Sequence, residues 1–206
     1  PAHSKQPRPP LWHDGSLRWL AFVGDGQELF SVTEEGHMYL WNTASGQLRV
    51  PAWRVPGVLQ EAVTMSLDQE QIVALYSDGI VRIWSRRDGQ LHHEQPLQVA
   101  GHSALAAIGV RNGGKEFVVP LADGVMATYP LDHVGAPELW QQPLTVADGA
   151  EFSPDGRYMA AYQRSIGQIQ VVDLDDRAAV PYCDLQIGSI VTSISFARQG
   201  LLFAVT

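Results

Sequence analysis

An all-β fold assembled from repeated antiparallel sheets is predicted by three observations on the 206-residue sequence. The first is a four-fold repeat. Gly36-His37-Met38-Tyr39-Leu40-Trp41 is echoed by Gly79-Ile80-Val81-Arg82-Ile83-Trp84, then by Gly124-Val125-Met126-Ala127-Thr128-Tyr129 and Gly167-Gln168-Ile169-Gln170-Val171-Val172. The leading glycines are 43, 45 and 43 residues apart. The second is turn chemistry. Asp-Gly recurs at Asp14-Gly15, Asp25-Gly26, Asp78-Gly79, Asp88-Gly89, Asp123-Gly124, Asp148-Gly149 and Asp155-Gly156, and glycine supplies the positive φ that hairpin turns demand. The third is that no stretch of about 12 residues holds a clean helical period. A period of about 40–45 residues with a short β segment after each glycine marks a β-propeller of four-stranded blades.

The elements follow from the turns. In the first repeat, residues 17–22, 28–32, 37–41 and 47–50 read as strands separated by glycine turns. Residues 61–67 and 71–76 open the second repeat as a strand pair rather than a helix, because a short turn joins them. In the fourth repeat, residues 149–152, 157–163, 168–173 and 181–185 fill the four strand places. Residues 189–196 and 201–206 then supply two strands of a fifth blade. The expected blades are therefore about 11–54, 55–98, 99–143 and 144–187, with 188–206 a partial fifth. At this period a closed ring of about seven blades needs two or three more, and an uncovered edge strand is a pairing site. A five-blade closure using residues 11–16 as a late strand is the compact alternative. Residues 1–10 hold four prolines and read as an extended spacer, the tail of a linker from a preceding domain. The chain opens on Pro1, which reads as an excised domain or a processed product.

Composition narrows the function classes. Hydrophobic residues make up 45% and charged residues 17% of the chain, as in a globular protein. The formal net charge of −8 argues against nucleic acid or an anionic membrane as the main partner. The basic doublet Arg86-Arg87 reads as a solvated turn. Cys183 is the single cysteine, so no internal disulfide forms, which suits a reducing cytoplasm. No apolar run reaches the roughly 18 residues of a membrane span, and no signal-peptide pattern is present.

These residues resemble the WD-repeat family over about residues 11–206. Phe152-Ser153-Pro154-Asp155-Gly156-Arg157-Tyr158-Met159-Ala160 is similar to the family's passage from first to second strand. Gly79 to Trp84, continued through Asp88-Gly89-Gln90-Leu91, is similar to its third strand and following turn. The resemblance implies a buried polar network in each blade: a His, a Ser or Thr, an Asp and the third-strand Trp. The first repeat nearly matches it with His13, Ser31, Glu35 in place of Asp, and Trp41. The second keeps Asp78 and Trp84 but has Val58 and Ala74. The third keeps His102 and Asp123 but has Val119 and Tyr129, and the fourth keeps none. Such networks are structural, because buried donors and acceptors must be paired.

No motif demands catalysis. His92-His93 on a strand point to opposite faces and cannot chelate alone, and Asp132-His133 lies in an irregular turn. Asn112-Gly113-Gly114-Lys115 lies between two strands and reads as a hairpin turn rather than a phosphate loop. No Gly-x-Ser-x-Gly elbow is present, and no cofactor or metal is expected. Trp12, Trp53 and Trp140 precede first strands by similar intervals. By the resemblance they lie near one rim with Arg54 and His102, as a partner-binding patch of the hot-spot type. Alternatively each Trp packs between adjacent blades. The expected function is a non-catalytic protein-interaction, sensor or scaffold module of the cytoplasm, tethered to another domain. A propeller enzyme of quinoprotein or lactonase type with a site at the central channel is the second class. An architectural subunit that completes its ring with another chain is the third.

Overall fold

The computed structural model describes residues 10–24, 26–55, 60–66, 68–97, 104–121, 123–142, 144, 147–176, 183–197 and 202–205. Seventeen strands among these residues form five antiparallel sheets in chain order. The first sheet is β1 (Leu17–Val23), β2 (Glu28–Thr33) and β3 (Met38–Asn42). The second is β4 (Gln60–Met65), β5 (Gln71–Tyr76), β6 (Ile80–Ser85) and β7 (Leu91–Pro96). The third is β8 (Gly109–Arg111), β9 (Glu116–Pro120), β10 (Val125–Pro130) and β11 (Glu138–Gln141). The fourth is β12 (Gly149–Phe152), β13 (Tyr158–Gln163), β14 (Gln168–Asp173) and β15 (Cys183–Gln186). A two-stranded sheet of β16 (Ser193–Phe196) and β17 (Leu202–Val205) follows. This is the blade series of a β-propeller, each sheet a meander whose first strand is innermost.

The repeat has a backbone cause. Gly36, Gly79, Gly124 and Gly167 have φ of 81°, 74°, 81° and 68°, so all four occupy the left-handed region that side chains avoid. A second turn recurs between first and second strands. Ser153 Oγ donates to Asp155 Oδ1 at 2.6 Å and accepts from Tyr158 N at 2.8 Å. Ser66 does the same with Asp68 Oδ1 at 2.5 Å and Gln71 N at 2.9 Å. Gly156 supplies the positive φ in one turn, and Gln69, at φ 59°, in the other. Gln69 is held there by its own side chain, whose Oε1 accepts from Gly24 N of the neighbouring blade at 2.7 Å.

Blades stack face to face, and the core is the set of inter-blade layers. Phe30, Val32, Met38 and Leu40 of the first blade meet Ile72, Ala74, Tyr76 and Trp84 of the second. The opposite face of the second, Val73, Leu75, Val81 and Ile83, meets Phe117, Val119 and Tyr129 of the third. Val118, Met126 and Trp140 then meet Met159, Ala161 and Val172 of the fourth. Ala160, Ile169 and Val171 meet Ile194 of the last sheet. Strand alternation makes this possible, since successive residues serve opposite neighbours.

Three expectations need correction. Residues 47–50 do not form a continuous fourth strand. They contribute one bridge, Trp41 with Leu48, and pairing resumes only where Met38 meets Trp53. Pro51 lies between the two and has no N–H to give to the ladder. The strand expected over 189–196 begins at Ser193. Residues 11–16 are not a strand of another blade; they cross the first blade, where Ser16 O accepts from Glu34 N at 2.9 Å and Tyr39 OH from Asp14 N at 3.1 Å. Residues 1–9 of the expected linker lie outside the described residues.

Candidate functional site

The first blade carries a compact polar triad on the face turned away from the second blade. Trp41 Nε1 donates to Ser31 Oγ at 3.1 Å and to His13 Nε2 at 3.2 Å, and Ser31 Oγ lies 2.8 Å from His13 Nε2. Tyr39 stacks on Trp41 at 5.7 Å, and His13 meets Tyr39 edge-on at 4.9 Å. The loop before β1 thereby seals the outer half of this face. Glu35 is exposed and lies over Gly15 rather than in the triad.

In the second blade Trp84 is buried at the matching step, but the polar chemistry differs. Asp78 accepts two bonds from Arg82, at 3.1 and 2.8 Å, and Arg82 Nε donates to Glu94 at 2.7 Å. The Arg82 side chain is only 7% exposed and its guanidinium lies 4.7 Å from the centre of the Tyr76 ring. Hydrogen bonding from Arg82 holds the Asp78 carboxyl below its usual range. Burial pushes the Tyr76 phenol up to about 12. The sequence pattern missed Arg82, although its place between Asp78 and Trp84 in the repeat was a usable signal. Arg86 was also misread as solvated. Its side chain is 16% exposed and pairs with Glu28 of the first blade and with Glu70. Glu28 also pairs with Arg49 at 2.8 Å. Arg87 is exposed, as expected of a turn.

The third-strand aromatic of the third blade, Tyr129, is buried and stacks on Phe117 at 5.2 Å. Asp123 is exposed, and its carbonyl accepts from Gln141 Nε2 at 3.1 Å. His102 lies outside the described residues. Three tryptophans and Arg54 complete the residues singled out. Trp12 is 80% exposed, while Trp140 is 7% exposed on β11 and donates to Thr128 Oγ1 at 3.0 Å. Trp53 is half-buried between the first two blades, 6.2 Å from Phe30 and 6.5 Å from Trp84. Arg54 is exposed beside it. The structure therefore does not bring the three rings to one surface. His93 is half-buried on β7, and no group of three or more potential metal ligands occurs among the described residues.

Two surfaces remain open. One is the inner half of the first blade's outward face. Leu17, Leu20 and Phe22 of β1 are 48%, 52% and 67% exposed there. The corresponding faces of the second, third and fourth blades are each covered by the blade before. The other is a central channel of about 540 Å³ walled by the innermost strands β1, β4, β8, β12 and β16. Its described charged side chains are Arg18 and Glu151. The Glu151 side chain is exposed to the channel's interior, yet the protein around it desolvates it enough to push its pKa up to about 7.

A solved structure matches this arrangement at the level of fold, and two curated proteins are similar in sequence. The crystal structure of the Myceliophteria thermophila Cps50 (Swd1) beta-propeller domain superposes with a TM-score of 0.70 at 14% identity, covering 94% of this chain and 63% of that one. A phosphoglucosamine mutase of Synechococcus sp. (strain RCC307) is 22% identical over 210 residues, 97% of this chain and 40% of that protein. Telomerase protein component 1 of Rattus norvegicus is 24% identical over 192 residues, 84% of this chain and 7% of that protein. The chain thus spans less than half of either curated relative and under two thirds of the solved propeller domain. No protein-family model matches it.

Proposed function

We propose that this chain is a non-catalytic interaction module of WD-repeat type, a scaffold whose first-blade face docks another blade. The observation that carries the reading is the contrast in coverage. Leu17, Leu20 and Phe22 are about half exposed or more, on the side that every later four-stranded blade buries against its predecessor. A contiguous apolar surface in this position marks an interaction site. The occupant that fits is the forward face of a further four-stranded blade, because that shape already fits the equivalent face three times in this chain. The partial coverage of the similar Cps50 (Swd1) propeller domain, 63% of its length, supports a larger ring. The blade comes from another part of the full-length protein or from a second chain. The single cysteine, Cys183, supports a cytoplasmic setting.

The test is sedimentation velocity of the chain across a hundred-fold concentration range, beside a Leu17→Glu/Leu20→Glu variant. The reading expects concentration-dependent self-association through the uncovered face, abolished in the variant with its strand content unchanged. Association that survives the two glutamates, or a wild-type chain that stays monomeric with the amides of β1 as protected from exchange as those of β4, overturns it.

A further inference from the structure

Glu151 stands alone in the channel. It sits on β12 opposite Ala160, on the wall shared with Phe152 and Phe196. The described hydrogen bonds and ion pairs give its carboxylate no partner. The rest of the lining is mostly small and apolar: Ala62 and Met65 on β4, Ala106 and Ile108 around β8. The polar exceptions are Thr64, Ser66, Gln69 and Ser153, and the one other described charge is Arg18 on β1. Arg18 does not set the state of Glu151, since burial is the one cause that shifts it. An unpaired carboxylate among apolar walls is costly, and a cation beside it removes that cost. A volume of about 540 Å³ lies within the usual size range of ligand sites. Aromatic rings at Phe22, Phe152 and Phe196 add faces that attract cations.

We propose that the central channel is a binding site for a cationic group on an apolar stem, of alkylammonium or alkylguanidinium type, with Glu151 as its counter-ion. Two sources present this chemistry, a lysine or arginine side chain of a partner peptide and a free organic cation. The site meets the first-blade docking face at Phe22, but neither Leu17 nor Leu20 lines the channel.

The test is isothermal titration of the chain with butylammonium, butylguanidinium, butyrate and the capped tripeptide Gly-Arg-Gly, at pH 8 and pH 6. Both cations are expected to bind and butyrate not. Binding is expected to be about tenfold weaker at pH 6, where most Glu151 carboxyls hold a proton, for a pKa of about 7. Glu151→Gln, which keeps the shape and removes the desolvated charge, is expected to fold and to bind at least about tenfold more weakly. Tighter binding of the tripeptide than of butylguanidinium identifies a peptide ligand; equal binding identifies a free cation. The Leu17→Glu/Leu20→Glu variant is expected to bind the cations as the wild type does, so failure of the docking reading leaves this one intact. Absence of saturable cation binding, equal binding of butyrate, or unchanged binding at pH 6 and by Glu151→Gln overturns the proposal. The pH comparison on the wild-type chain decides even if the variant does not fold.

Discussion

The first two blades place a tryptophan at the same step of the repeat and surround it with different chemistry. Trp41 donates to Ser31 and His13, brought together from strand and loop. Trp84 has Ala74 where the first blade has Ser31, and the polar work passes to Arg82, held by Asp78 and Glu94 and laid over Tyr76. The difference lies in what covers each face. The second blade's face is packed under the first blade, so the guanidinium there is desolvated and is bound by two carboxylates and a ring. The first blade's face is covered only by its own loop, and a histidine from that loop suffices. Arg82 only donates, so it does not replace the acceptor that Trp41 Nε1 finds in Ser31, and Trp84 Nε1 is buried without a hydrogen-bond partner; the repeat fixes where the polar group falls, not which residue stands beside it.

Two substitutions sharpen this contrast and two more probe buried charge elsewhere, from the largest effect to the smallest. Arg82→Met leaves Asp78 and Glu94 facing each other without a cation and strips the cover from Tyr76. It is expected to cost about 2–3 kcal/mol in urea unfolding, below the 3–5 typical of fully buried pairs because both carboxylates touch water. Ser31→Ala removes the centre of the Ser31–His13–Trp41 triad and is expected to cost about 1–2 kcal/mol, with a non-additive double-mutant cycle against His13→Ala. A larger loss at Ser31 than at Arg82 would reverse the ranking. Glu151→Gln tests the channel. The folded carboxyl titrates near 7, above its unfolded value of 4.5. The wild type therefore loses stability as pH rises from about 4.5 to 7. The variant is expected to melt higher than the wild type at pH 8 and alike at pH 4.

His93 gives the smallest effect, with the opposite slope. Its Nε2 is buried without a partner, and burial holds its pKa below the usual 6.5. The unfolded imidazole therefore takes up a proton first, and stability falls as pH drops through about 6.5 toward the folded value. His93→Gln is expected to flatten that part of the melting profile. A profile unchanged by the substitution would place the slope elsewhere.

Much of the fold was legible because its causes are local. The four leading glycines share one backbone conformation, and strands 71–76, 149–152 and 168–173 fall where the turns place them. What escaped depends on contacts distant in sequence. The Ser66–Asp68 turn is the Ser153–Asp155 turn in disguise, hidden because Gln69 stands where Gly156 supplies the positive φ. The bond from Gly24 that holds Gln69 comes from 45 residues away. Arg86 looked solvated because its partner Glu28 lies 58 residues earlier. Trp53 and Trp140 have similar spacing to Trp12, but spacing does not tell a rim residue from one wedged between sheets. Glu151 carries no motif, and only the gathering of five inner strands along one cavity gives it a setting.

The central claim is that the first blade's outward face is open while its equivalents are covered. Hydrogen–deuterium exchange read strand by strand tests it most directly. β1, β4, β8 and β12 are all innermost strands with one hydrogen-bonded neighbour, so they differ chiefly in face coverage. The account predicts that amides of β1 exchange markedly faster than those of β4, β8 and β12, in dilute chain. Equal protection of β1 would mean that its face is already covered, and would contradict the account.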